Sequence, residues 1–169
     1  MKHKHDGHNE VTTPSNAIEY FKFAAIMLII LIVSTLITLN TSIAFLESFM
    51  GVFFLVFAGF KLAQLKEFAY GFQSYDLVAK RSLAYSYSYP FIQLLFGVLY
   101  LVGTSSLTLN LSVLAVSLLS GAGVLNSLIK KQQVHCVCLG NVIKLPLSTI
   151  SFVEDFGMAL MALVMIIIR

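Results

Sequence analysis

The sequence predicts an all-α polytopic membrane protein, on the grounds of its composition and of its long apolar segments. Of 169 residues, 58% are hydrophobic and 11% are charged, with a mean hydropathy of +0.88. Soluble domains carry about a quarter charged residues, so an apolar excess of this size has to face lipid. The apolar runs are continuous, whereas the strands of a transmembrane barrel alternate apolar and polar residues. We therefore expect helices in a lipid bilayer.

Five segments are predicted to cross that bilayer, each judged against a span of about 20 residues, with about 17 acceptable. The third is short, and it is predicted to begin with Pro90 in its first turn and to be extended by interfacial tyrosines. A polar, histidine-containing tail over residues 1–20 is expected to be disordered, and residues 21–169 to form the five-span bundle. The predicted spans are about 23–39, 45–62, 89–102, 107–129 and 148–168.

The distribution of Lys and Arg predicts the orientation. With five spans, ten of the eleven basic residues lie on the side of the N-terminal tail and of the loop at 130–146. The positive-inside rule then puts both in the cytoplasm, which implies a multi-pass protein of the inner (cytoplasmic) membrane. The net charge is only +3 and the basic residues are scattered, so no nucleic-acid partner is expected.

The loop at 130–146 contains both cysteines of the chain, in the stretch His135-Cys136-Val137-Cys138-Leu139-Gly140. Two residues apart in an extended loop, the sulfurs face the same way and a strained, labile disulfide is possible. The same thiolates, with the His135 imidazole, could instead bind a soft metal such as Cu(I) or Hg(II). The third interpretation is that both cysteines are reduced thiols without a functional role. A Cys-x-Cys pair in a polar loop favours one of the first two.

Glu154 and Asp155 stand at the start of the last span, where a carboxylate inside hydrocarbon is unfavourable. A functional interpretation makes one of them a proton acceptor for a nearby thiol, or a metal ligand. The structural interpretation is a capping box, in which Ser151 precedes Glu154 by three residues and acidic groups complement the helix dipole. Both interpretations stay open at this point.

Four glycines in the apolar segments are predicted to let helices pack closely, because small residues allow backbones to approach in membranes. They are Gly51, Gly59, Gly121 and Gly123.

The chain from about residue 45 to its end resembles the MauE family of DoxX-like membrane proteins, associated with methylamine utilisation. The similarity lies in the helix exit Gly59-Phe60-Lys61-Leu62, the proline-led helix after Tyr89, the Cys136-Val137-Cys138-Leu139-Gly140 loop, and Pro146 with Asp155 at the last helix. Gln93 stands where the family pattern has an acidic residue, and Leu139 replaces an aromatic residue. The resemblance implies a four-helix DoxX-like bundle, here with one additional N-terminal transmembrane helix.

Two functional hypotheses follow. The resemblance implies thiol–disulfide chemistry during maturation or export of a partner protein, with Cys136 and Cys138 exchanging disulfides with a thioredoxin-like protein and drawing on a quinone. The alternative is a membrane protein that handles copper or mercury through Cys136, Cys138 and His135. No nucleotide-binding, hydrolase or zinc motif is present in the sequence.

Overall fold

A computed structural model of the chain describes residues 15–76, 78–104, 106–129 and 147–168. Every regular element within these ranges is an α-helix, which confirms the predicted all-α class. Three helices contain segments long and apolar enough to cross a membrane, at Tyr20–Asn40, Phe45–Ala63 and Leu107–Asn126. The membrane class is thus confirmed, while the count of five spans stays a prediction. The helices are α1 (Ser15–Asn40), α2 (Phe45–Ala63), α3 (Leu65–Tyr75), α4 (Leu83–Leu101), α5 (Leu107–Ile129) and α6 (Leu147–Ile168).

Two closely packed helix pairs form the bundle, α2 with α4 and α5 with α6, and they meet where α2 approaches α6. Helix α1 packs along α2, and α3 lies against α4. Phe54, Phe57 and Tyr100 are buried between the helices, whereas α1 exposes most of its apolar side chains. In a bilayer those exposed side chains face lipid, which accounts for the high hydropathy of the chain.

Helix α4 begins earlier than predicted. It starts at Leu83, and Pro90 lies inside the helix, so the prediction of Pro90 as a first-turn residue is wrong. The cause is Ser82, whose Oγ accepts a hydrogen bond from the backbone N–H of Tyr85 at 3.4 Å and caps the helix there. Membrane helices tolerate an internal proline when neighbouring groups satisfy the freed carbonyl. The tyrosine-rich segment is therefore helix.

The first helix also begins earlier than predicted, at Ser15 and not near residue 23. Residues 1–14, which hold the three histidines of the predicted tail, lie outside the described residues.

Helix α3 lies between the predicted spans at 45–62 and 89–102, in a polar stretch where no helix was predicted. Its 11 residues are amphipathic: Phe68, Ala69 and Phe72 are buried, while Lys66 and Tyr70 are exposed. This spacing is that of one helix face, and the outward polar side is typical of a helix lying at a membrane surface. Helix α3 therefore covers one end of the bundle.

The glycines behave differently from one another. Gly51 and Gly97 sit where α2 and α4 cross, and a Cβ added to Gly97 would lie 3.0 Å from the carbonyl oxygen of Gly51. A Cβ on Gly121 would lie 3.5 Å from the Asp155 Cβ, an ordinary contact between α5 and α6. Gly59 is exposed with nothing within 4 Å of an added Cβ, so its predicted role in close packing is wrong. Gly123 is buried.

Candidate functional site

A buried ion pair joins the two helix pairs below α3. Lys61 at the end of α2 donates to Glu154 Oε1 on α6 at 2.5 Å and to Gln93 Oε1 on α4 at 2.8 Å. Gln93 closes the triangle by donating from Nε2 to the same Glu154 oxygen at 3.1 Å. Lys61 and Glu154 are each 2% exposed. A buried ion pair is held only where further hydrogen bonds support it, and Gln93 supplies them here.

Aromatic rings cover the ammonium group of Lys61. Its Nζ lies 5.1 Å from the ring centroid of Tyr89 and 5.5 Å from that of Phe68. Phe72 stacks on Phe68 with a centroid distance of 5.1 Å and packs at a tilt against Tyr89 with a centroid distance of 4.6 Å. A desolvated cation over aromatic faces is attracted by about 2 kcal/mol. Helix α3 thus separates the ion pair from the aqueous side.

Asp155 lies beside the ion pair and is 4% exposed. Its Oδ2 accepts a hydrogen bond from Ser120 Oγ of α5 at 3.0 Å. The Tyr89 hydroxyl group also hydrogen-bonds with Ser120 and interacts electrostatically with both Glu154 and Asp155. One ammonium group and two carboxyl groups are therefore enclosed in the same part of the bundle.

This geometry rejects the capping-box interpretation of Glu154. Helix α6 begins at Leu147, so Ser151 is already inside the helix and Glu154 lies about two turns from its start. Its partner is the Lys61 ammonium and not a backbone N–H of a first turn. Both carboxyl groups are buried, and intramembrane carboxylates of this kind are commonly functional.

Three members of the cluster were not predicted as site residues: Lys61, Gln93 and Ser120. Lys61 was counted only as a basic residue of the predicted cytoplasmic side, although it lies within the predicted span at 45–62. Gln93 is polar in the middle of an apolar helix, which is itself a signal for a buried partner. No such signal exists for Ser120, because serines are common in membrane helices and only the fold brings this one to Asp155.

Asp76 is the C-cap residue of helix α3, the helix whose Phe68 and Phe72 cover the ion pair. Its Oδ1 accepts hydrogen bonds from the backbone N–H groups of Val78 at 2.8 Å and Ala79 at 2.7 Å. Its Oδ2 is buried and has no hydrogen-bond partner among the described residues. Burial raises the pKa of the Asp76 carboxyl above its usual value, against the lowering effect of those two amides and of Lys80.

The Asp76 carboxyl makes the stability of the fold depend on pH. Because its pKa is raised in the folded state, stability is fully present below the ordinary Asp pKa and falls as pH rises through the folded pKa. Asp76→Asn keeps an acceptor for the two amides and should abolish this fall. Asp76→Ala loses the acceptor and should cost about 1 kcal/mol at every pH. Thermal unfolding in detergent over a pH series measures both, and an Asn variant with the wild-type pH slope would contradict the assignment.

The predicted residues His135, Cys136 and Cys138 lie outside the described residues. Within the described ranges, no group of three or more His, Cys, Asp and Glu side chains is arranged to hold a metal ion. Glu154 and Asp155 are thus the predicted site residues whose surroundings are described, and the structure brings them together with Lys61, Gln93 and Ser120.

The chain was compared with protein families, curated proteins and solved structures. The model of the family described as "Methylamine utilisation protein MauE" matches residues 23–168. The match includes most of α1, whereas the resemblance noted in the sequence began at about residue 45. No curated protein and no solved structure matches the chain.

Proposed function

The chain belongs to the MauE family, and from this premise we propose that it supports the maturation or export of a partner protein by thiol–disulfide exchange at Cys136 and Cys138. It is a membrane protein implicated in methylamine utilisation through its family. The partner on this proposal is a thioredoxin-like protein, and the reaction is exchange between its cysteine pair and the pair in this chain.

The observation that carries the proposal is the position of the buried carboxyl groups relative to the cysteine segment. Residues 130–146 connect the end of α5 with the start of α6. Ser120 lies nine residues before that end of α5 and Glu154 seven residues after that start of α6. At 1.5 Å per residue these are depths of about 14 and about 11 Å. Glu154 and Asp155 thus lie about two turns below the point where the cysteine segment joins α6.

The exchange needs such groups because thiol chemistry moves protons. A partner thiolate attacks one sulfur of the Cys136–Cys138 disulfide, and the second partner thiol resolves the mixed disulfide. The products are a partner disulfide and the reduced cysteine pair, whose thiolates take up protons. Reoxidation passes two electrons and two protons to a membrane quinone, which leaves as a quinol. One of the two carboxyl groups exchanges protons with the thiols on this proposal, and Asp155 is the better candidate because Glu154 is paired with Lys61.

Single-cysteine variants test this reaction. Cys136→Ser and Cys138→Ser should each abolish function while the protein stays abundant in the membrane, since a thiol in a polar loop contributes little packing. Each should also accumulate a covalent adduct with the partner, because no neighbouring thiol can resolve the mixed disulfide. Non-reducing gels of acid-quenched membranes, with the double variant as the control that forms no adduct, read this directly.

The soft-metal hypothesis predicts the opposite results. The wild-type thiols would be fully reduced, the purified protein would retain Cu(I) or Hg(II), and one cysteine replacement would weaken metal binding without any adduct. Loss of abundance with unchanged specific activity in either variant would instead make the cysteines structural. Either result would overturn the exchange reaction.

The proposed orientation has the N-terminus and the cysteine segment in the cytoplasm. With Lys61 enclosed as a counter-ion, nine of the ten basic residues on that side remain for the positive-inside rule, against Arg169 on the other. Reporter fusions at Ser105 and at Lys130 should report external and cytoplasmic locations, respectively. Two fusions that report the same side would contradict five spans.

A further inference from the structure

Among the residues that the structure describes, the buried charges near α3 do not balance. Lys61 is one ammonium group, and Glu154 and Asp155 are two carboxyl groups, all at most 4% exposed. Lys61 contacts Glu154 and Gln93, so its charge is matched by Glu154. Within the described part of the chain, an ionised Asp155 would be a buried charge whose hydrogen-bond donor is the neutral Ser120 and not a cation, which costs several kcal/mol.

The other groups around Asp155 are neutral or acidic, so they add to the excess of negative charge. The hydrogen bond it accepts comes from the neutral hydroxyl of Ser120. Helix α5, which packs along it, contains no ionisable residue. Its own helix presents Glu154, and the turn after α3 presents Asp76, both of which act electrostatically on Asp155. Helix α4 presents the titratable groups Tyr85 and Tyr89 to Asp155. Among the described residues, Lys61 of α2 is the cation that acts electrostatically on Asp155.

From this arrangement we propose that Asp155 is an intramembrane proton-binding site, whose carboxyl group is protonated in the resting protein and releases that proton reversibly. Glu154 stays ionised as the fixed counter-ion of Lys61. The ligand is a proton, and the step is the dissociation and return of one proton at a carboxyl oxygen of Asp155. This inference deepens the proposed function, in which Asp155 exchanges protons with the thiols, but proton binding at Asp155 can be measured without the cysteines.

Asp76, at the C-terminal end of α3, is a second buried carboxyl group that acts electrostatically on Asp155. The Asp76 Oδ2 atom is buried and has no hydrogen-bond partner among the described residues. The Asp76 carboxyl group interacts electrostatically with both Tyr85 and Asp155. Asp76 precedes the exposed residues Lys80 and Arg81 by only a few positions. Two protonatable carboxyl groups thus follow one another from the loop end of the bundle towards its interior. On this proposal, a proton that leaves Asp155 passes to the aqueous side by way of Asp76.

Infrared spectroscopy of the purified protein tests the assignment, because a protonated carboxyl has a C=O stretch distinct from that of a carboxylate. The wild type at neutral pH should show this band with a shift on transfer to heavy water, and Asp155→Asn should remove a component of it. Asp155→Glu should keep the component at a changed frequency. Glu47→Gln, at the far end of α2, is the matched control and should leave the band unchanged.

A second measurement covers the case in which Asp155→Asn fails to fold. Raising the pH of the wild-type protein should convert the same band into carboxylate absorption, and Asp76→Asn should slow the heavy-water shift. A wild type without the band at neutral pH, or a folded Asp155→Asn protein with the full wild-type band, would overturn the proposal. The band should also persist in the Cys136→Ser/Cys138→Ser double variant, so that failure of the thiol reaction leaves this test intact.

Discussion

Replacing Lys61 by methionine should lower the free energy of unfolding by about 3–5 kcal/mol, because it leaves Glu154 as a buried charge without its cation. Methionine keeps the length of the aliphatic stem, so the loss is one of charge and not of packing. The matched control is Lys66→Met in α3, whose side chain is exposed, and which should change stability by less than about 1 kcal/mol. Chemical or thermal unfolding in detergent micelles measures both.

The double variant Lys61→Met/Glu154→Met separates the charge effect from a general loss of packing. Replacing both members of a buried ion pair by apolar residues of similar volume is often neutral or stabilising. The double variant should therefore recover most of the stability lost in Lys61→Met. The double variant should still unfold more easily than the wild type, because the buried Gln93 amide loses both hydrogen-bond partners. This loss costs about 1–3 kcal/mol of unfolding free energy. A double variant less stable than Lys61→Met would show that the pair itself stabilises the bundle.

Gly97→Leu should be the second strongly disruptive substitution. A Cβ at this position would already lie 3.0 Å from the backbone oxygen of Gly51 and 3.0 Å from Leu55, so a leucine forces α2 away from α4. Overpacking of this kind costs about 1–3 kcal/mol and sometimes more. The control is Gly59→Leu in α2, where an added Cβ meets nothing within 4 Å. Equal stability of the two variants in detergent would contradict the close crossing of α2 and α4.

The sequence predicted the fold class well because hydrophobic segment length is a direct physical requirement of the bilayer. It also predicted the bounds of α5, which match at 107–129. It missed α3, because a short amphipathic helix with charged residues on one face has the composition of a loop. It also misplaced the start of α4, where tyrosines and serines lower the hydropathy of a segment that is nevertheless helical.

The candidate site could be predicted only in part for a related reason. Glu154 and Asp155 were recognised because carboxylates near a membrane span are unusual. Their partners come from three other helices, at separations of 93 residues for Lys61 and 35 residues for Ser120. No local pattern encodes such contacts. Lys61 lies in the last turn of α2, where a basic residue is usual and gives no sign of burial. Only the packing of aromatic rings over its ammonium group shows that it is enclosed.

The redox state of the two cysteines in living cells is the most direct test of the proposed function. Cells are quenched with acid, membranes are alkylated before and after reduction, and the mass of the segment containing Cys136 and Cys138 is measured. A reacting pair should escape alkylation in a fraction of the molecules until a reductant is added, because exchange leaves part of the protein as an internal or mixed disulfide. Complete alkylation of both cysteines without prior reduction would contradict thiol–disulfide exchange as the function of this protein.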